Sequence, residues 1–194
     1  MRAYVNSINL KEPYPVLFLD RDGVINFDHG HVFQIEKFDL MPGIFDLIRL
    51  ANKKKYLVIV VTNQAGIAKN FYTEKQFHNL TLWMIEFFKD NNLIINGVYY
   101  SPFHPTLGKG KYLLSENTRK PGSGMFEEAF KDFNIDKENS IMIGDNISDI
   151  EASKGAGIKN NILLTNSKDN SIKNNLLNDV NIISSLSEAQ PFIR

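Results

Sequence analysis

The chain has 194 residues, 43% hydrophobic and 23% charged, which is long enough for one well-buried α/β domain and short for two. Lysine and arginine total 22, as do aspartate and glutamate, so no broad field draws nucleic acid or an acidic membrane surface. Cysteine is absent, which removes disulfides, thiolate catalysis and cysteine zinc sites together.

The opening stretch MRAYVNSINLKEPYP lacks the apolar core of a signal peptide. No later apolar run approaches the roughly 20 residues of a membrane span, so a cytoplasmic chain without a membrane partner is expected. Short β-branched runs then alternate with longer stretches of helical period, the pattern of a doubly wound parallel sheet with helices on both faces. In chain order the strands are read at VLFLD (16–20), YLVIVVTN (56–63), GVYYS (97–101), SIMIGD (140–145) and NILLT (161–165). Pro42 suits the first turn of a helix running to about Lys54, and the lysines at 53–55 read as its solvated end, not as a nucleic-acid patch. A capping box of Thr73 with Gln76 opens the clearest helix, with Phe77, Leu80, Met84 and Phe88 on one stripe. Residues 101–121 form a long connection without period, a length that is often functional. A polar excursion from Asn166 to Asp179 precedes a last short element, VNIISS. With neither repeat nor linker, one domain over 1–194 is expected.

In open parallel sheets ligands bind beyond the carboxyl ends of the strands. The first strand ends in Asp20 and Asp22, the second in Thr62 and Asn63, and the fourth in Gly144 and Asp145, with Asp149 shortly after. Lys120 precedes the next helix and reaches the same edge if the long connection folds back. Asp149 taken alone reads equally as a solvated turn residue or helix cap. The pair Asp20 and Asp22 does not, because clustered carboxylates raise each other's pKa unless a cation compensates. A helix-loop-helix calcium site fails, since its next ligand position falls on Val24. Few oxygen ligands, with room for water and a phosphate, suit magnesium. The metal set is read as Asp20, Asp22 and Asp145 with Asp149 behind them, although Asp22 is not needed as a side-chain ligand. Beside such an ion Asp20 is a nucleophile toward phosphorus, and Asp22 is the acid that protonates the leaving oxygen and the base that later activates water. Thr62 and Lys120 would hold the equatorial oxygens of the transferring phosphoryl group.

The ordered motifs DRDGVIN, VTNQAGIA, RKPGSGM and GDNISDIEA resemble the four motifs of the haloacid dehalogenase (HAD) superfamily of phosphohydrolases. Through INFDHGHV and YYSPFHP, the chain is most similar to the branch of heptose 1,7-bisphosphate phosphatases. The resemblance implies a HAD-like Rossmannoid fold with a short flap and no large cap. It also implies magnesium, an aspartyl-phosphate at Asp20 and a small phosphosugar losing its 7-phosphate. It places Asp28, His29, Gly30 and His31 on the flap against the sugar, Asn63, Gln64 and Asn146 beside the substrate, and Arg119 at its distal phosphate. Histidinol phosphate or another small phosphomonoester is the alternative substrate, and a silent phosphosugar-binding protein the alternative of another class. A binding protein would gain from losing the repulsive pair that this chain retains. A monomer without nucleic-acid partners is expected.

Members of this branch often carry a structural zinc on the loop after the third strand. Here the ligand positions read Ser101, Phe103, Glu116 and Thr118, so no structural zinc is expected. Packing of Phe103, Tyr112 and Leu113 is expected to hold the loop, with His104 as a loop hydrogen-bonder. GAGIKN follows a helix and lacks a third glycine, so it is no dinucleotide site.

Overall fold

The computed structural model describes residues 1–6, 12–165 and 179–194. Its strands are β1 (Arg2–Val5), β2 (Tyr14–Leu19), β3 (Leu57–Asn63), β4 (Gly97–Ser101), β5 (Ile135–Gly144), β6 (Asn160–Leu164) and β7 (Val180–Ile183). Its helices are α1 (Ile44–Lys53), α2 (Ala65–Ala68), α3 (Glu74–Asp90), α4 (Gly124–Asp132) and α5 (Ile147–Gly155), with short 3-10 turns between.

The strands form one seven-stranded sheet in the order β1-β4-β3-β2-β5-β6-β7. All neighbours are parallel except β1, which runs antiparallel beside β4. That edge strand is a departure from the expected parallel sheet. Its four residues are too short a run to carry a period of their own, and the pairing is supplied by β4. Strand β5 also starts earlier than SIMIGD. Asp136 Oδ1 accepts the amide hydrogens of Glu138 (3.1 Å) and Asn139 (3.2 Å), so the strand's first residues pair with β2, step out in a side-chain-capped turn, and rejoin at Ile141. The polar stretch read from Asn166 lies, up to residue 178, outside the described residues.

Side-chain alternation along the strands builds two cores, one on each face of the sheet. Leu17, Leu19, Val58, Val60 and Val98 pack with α1 and α3 through Leu47, Ile48, Phe77, Met84 and Phe88. Val16, Phe18, Leu57, Ile59 and Val61 pack on the other face with α4 and α5 through Met125, Phe126, Ala129 and Ala152. Helix α3 starts as the capping box predicts, the Thr73 side chain accepting from the Gln76 amide. Helix α1 differs by one step. Gly43, whose φ of 86° suits glycine, takes the N-cap, and Pro42, the residue before it, lies outside the helix and not in its first turn. Among the described residues no helix is long and apolar enough to cross a membrane.

The strand order also creates a crevice. From β2 the chain moves outward to β3 and β4, then returns to β5 on the other side and moves outward again. The carboxyl end of β2 is therefore a topological switch point, where loops from both directions part and leave an opening between them.

Candidate active site

Asp20 is the first residue beyond β2, and its amide donates to Ile143 O on β5 at 3.0 Å. Its Oδ1 accepts the Arg21 amide at 2.7 Å and faces Lys120 Nζ at 3.0 Å, which fixes how the carboxylate points into the crevice. Lys120 is 2% exposed, sits 2.5 Å from Asp149 Oδ1, and donates to Val61 O at 2.8 Å. Burial works against its charge, but Asp149 and Asp20 more than offset this and hold its pKa above the ordinary value. The long connection does fold back over the sheet edge, and Asn63 is what holds it there. The Asn63 side chain accepts the Lys120 amide at 3.0 Å and donates to the Lys120 carbonyl at 3.1 Å. Both ends of its amide are used on the backbone of Lys120, and Asn63 also lines the crevice in which a substrate is expected.

Asp145 and Asp149 complete an acidic cluster with Asp20, their carboxylate oxygens all within 4.8 Å of one another. Such close approach needs small neighbours. A Cβ on Gly23, which has φ +87°, would lie 2.0 Å from Asp145 Oδ2, and one on Gly144 would lie 2.3 Å from Asp149 Cβ. Burial foremost, then Asp149, push the Asp145 carboxyl up to about 6 against the pull of Lys120. Burial likewise pushes Asp20 up, Lys120 draws it down, and Asp149, Asp145 and Asp22 push it up again, to about 8. Three carboxylates thus face one ammonium. The deficit is that of a divalent ion, and an all-oxygen donor set opening on water fits Mg2+. Asp149 is spent on Lys120 and on the Asn146 amide, which it caps at 3.0 Å, so Asp20 and Asp145 are the acids left facing the crevice.

Asp22 stands outside that cluster, contrary to its place in the expected metal set. Its carboxylate is turned toward a buried scaffold of donors: Arg21 Nη2 at 2.8 Å from both oxygens, Asn26 Nδ2 at 3.0 Å and Gln64 Nε2 at 3.1 Å. Arg21 is 1% exposed, also donates to Val32 O at 2.6 Å, and lies over the Phe77 ring. Gln64 donates as well to Thr62 Oγ1 at 2.8 Å, and the Tyr72 hydroxyl donates to its Oε1. Sequence reasoning passed over Arg21, Asn26 and Tyr72. The available signal was Arg21 itself, a cation placed between two acids that need one.

Asp20, Asp22, Thr62, Asn63, Gln64, Tyr72, Lys120, Asp145 and Asp149 line a cavity of about 410 Å³ together with Asp28, Gly30, His31, Arg119, Asn146 and Ser148, while Arg21 and Asn26 lie behind it. His29 does not line it. Its ring bonds Asp39 at 2.7 Å on the exposed side of the flap. His31, held at φ 58°, packs its ring on Phe71 at 4.7 Å and closes the flap against the α2–α3 turn. On the opposite wall Arg119 Nη1 donates to Phe103 O at 3.4 Å. Within the long loop, His104 Nδ1 accepts the Leu107 amide at 3.0 Å, and the Phe103 and Tyr112 rings meet at 6.3 Å. Leu113 does not pack: its backbone bridges His104, and the side chain is 51% exposed.

Residues 117–189 match the family model for HAD-like hydrolases. A D-glycero-beta-D-manno-heptose-1,7-bisphosphate 7-phosphatase of Haemophilus ducreyi is 42% identical over 153 residues, 78% of this chain and 84% of the relative. A D-glycero-alpha-D-manno-heptose-1,7-bisphosphate 7-phosphatase of Burkholderia mallei is 47% identical over 148 residues, 76% of this chain and 78% of the relative. A crystal structure assigned to a HAD-like phosphatase of Mesorhizobium loti superimposes with TM-score 0.85 at 27% identity, covering 97% of this chain and 88% of that one. The D,D-heptose 1,7-bisphosphate phosphatase of B. bronchiseptica, complexed with magnesium and phosphate, shares the fold with TM-score 0.77 at 20% identity, covering 91% and 96%.

Proposed function

The chain belongs to the HAD-like hydrolases, and on that premise we propose that it is a magnesium-dependent phosphatase releasing the 7-phosphate of D-glycero-D-manno-heptose 1,7-bisphosphate. The observation that carries the reading is one cavity holding, at its floor, Asp20 against Lys120 and Asp145, and on its wall a second cation, Arg119, without a carboxylate partner among the described residues. Relatives covering most of the chain act on both heptose anomers, and this reading leaves the anomer open.

In this reading Asp20 and Asp145 would hold the Mg2+, which when bound would supply positive charge against the carboxylates and the transferring phosphoryl group. An Asp20 carboxylate oxygen attacks phosphorus while the bond to the sugar oxygen breaks, and Asp22 gives that oxygen its proton. Asp22 then takes a proton from water, which attacks the aspartyl-phosphate and restores Asp20. Lys120 and Thr62 face the phosphoryl oxygens, where transition-state charge resides. Gln64 and Arg21 keep the Asp22 carboxylate aimed. Asp28, Gly30 and His31 cover the sugar, and Arg119 takes the phosphate that does not react.

The test is phosphate release from heptose 1,7-bisphosphate, heptose 7-phosphate, other sugar bisphosphates and histidinol phosphate, with Mg2+ and with Zn2+. The expected ranking puts the heptose bisphosphate first, with Mg2+ required. Histidinol phosphate hydrolysed as efficiently would leave a phosphatase of another substrate.

A further inference from the structure

The loop between β4 and α4 carries Arg119, and it crosses the surface without regular structure apart from one 3-10 turn at Gly110–Tyr112. Something must fix its shape, since a surface loop this long has no ladder of its own. Asn63 holds its far end at Lys120, and a single carboxylate holds its middle. Glu74 is the first residue of α3, where the helix dipole and the Thr73–Gln76 capping box set its position. The Tyr112 hydroxyl donates to Glu74 Oε1, the Tyr100 hydroxyl donates to Oε2 at 2.7 Å, and Lys111 Nζ lies 3.5 Å from Oε1. Burial opposes the charge, but the bonds from Tyr112 and Tyr100, with Lys111, hold the Glu74 carboxyl below its ordinary pKa.

From Tyr112 the contacts run without a break to Arg119. The Tyr112 carbonyl accepts the His104 amide at 3.1 Å, its ring meets Phe103, and the Phe103 carbonyl accepts Arg119 Nη1 at 3.4 Å. Lys109 adds a second tie, its amide donating to Ala68 O at 2.9 Å. The Arg119 guanidinium is therefore held by a carbonyl of the loop, and that stretch of the loop is held by Glu74 and, through Lys109, by Ala68. We infer that Tyr112 and Glu74 form a clasp that positions Arg119 for the remote phosphate of a bisphosphate substrate, which makes them specificity-determining positioning residues that never touch the reacting atoms. This role for the clasp rests on the proposed function, in which Arg119 binds the phosphate that does not react.

The experiment compares wild type, Tyr112→Phe, Glu74→Gln and Arg119→Ala on heptose 1,7-bisphosphate and heptose 7-phosphate, together with amide hydrogen exchange over residues 102–119. Tyr112→Phe keeps the ring and removes only the hydroxyl. It should raise KM for the bisphosphate about 3- to 10-fold, leave kcat and KM for the monophosphate near wild type, and speed exchange in the loop. Glu74→Gln should act in the same direction. Adding Tyr112→Phe to Arg119→Ala should change the substrate ratio no further, because the two act as a unit. Unchanged exchange in the loop, or equal losses on both substrates, would overturn the clasp. If wild type shows no preference for the bisphosphate, the substrate reading falls instead, and exchange alone decides whether Tyr112 and Glu74 hold the loop.

Discussion

Replacing Gly23 by alanine separates the catalytic cluster from the fold more cleanly than replacing an acid. At φ +87° an L-residue is strained by about 1–2 kcal/mol, a cost this fold can bear. The added methyl would stand 2.0 Å from Asp145 Oδ2 and 2.5 Å from its Cγ, whereas non-bonded heavy atoms settle at about 3.5–4.0 Å. The carboxylate must therefore retreat by more than about 1 Å, toward Asp149 or out into the crevice. Misplacement on that scale costs on the order of 10²-fold in rate. Gly23→Ala should thus lower kcat/KM by about 10² and raise the Mg2+ concentration needed for half-maximal activity, while unfolding in urea shows a loss of no more than about 2 kcal/mol. Titrating phosphate release against Mg2+ checks the first two, and urea unfolding the third. Wild-type activity with an unshifted Mg2+ requirement would refute the placement of Asp145 as a group that faces the metal.

Asp20→Asn should abolish turnover with the far-ultraviolet dichroism unchanged, and measurable steady-state activity would remove Asp20 as nucleophile. Asp22→Asn should lower kcat by about 10²- to 10⁴-fold, the usual worth of general acid–base help, and by less on an aryl phosphate whose leaving group needs no proton. Equal losses on alkyl and aryl phosphates would contradict an acid role. Lys120→Met leaves Asp20 and Asp149 without their buried cation and should destabilise the metal-free protein by about 3–5 kcal/mol in urea unfolding. Chelation with EDTA should stop phosphate release yet leave the fold standing, since Lys120 still faces the cluster; cooperative unfolding on chelation would show that the metal is structural.

What was legible in the chain, and what was not, depends on where the information sits. Apolar runs ending in acids locate the carboxyl edge of the sheet, and Asp20, Thr62 and Asp145 line one cavity as their positions at strand ends suggest, with Lys120 joining them where the long connection folds back. Period-two alternation gives the two faces, and the Thr73–Gln76 pair gives the start of α3. The parts that escaped depend on contacts distant in sequence. Strand β1 exists because β4 offers it an edge. The direction in which Asp22 points is settled by Arg21, Asn26 and Gln64, and nothing in the spacing says that a turn will bury Arg21. His29 and His31 look equivalent two residues apart, yet the positive φ at His31 turns one ring to Phe71 while the other finds Asp39. Which residues hold the long loop was out of reach for the same reason, since Asn63 meets Lys120, and Glu74 meets Tyr112, through the fold alone.

The central question is which phosphate leaves and which remains. Phosphorus NMR of heptose 1,7-bisphosphate incubated with the protein and Mg2+ tests it directly. The prediction is one equivalent of inorganic phosphate, disappearance of the 7-phosphate resonance and persistence of the 1-phosphate resonance. Loss of the 1-phosphate first, or of both at similar rates, would contradict a cavity in which Asp20 takes one end of the substrate and Arg119 retains the other.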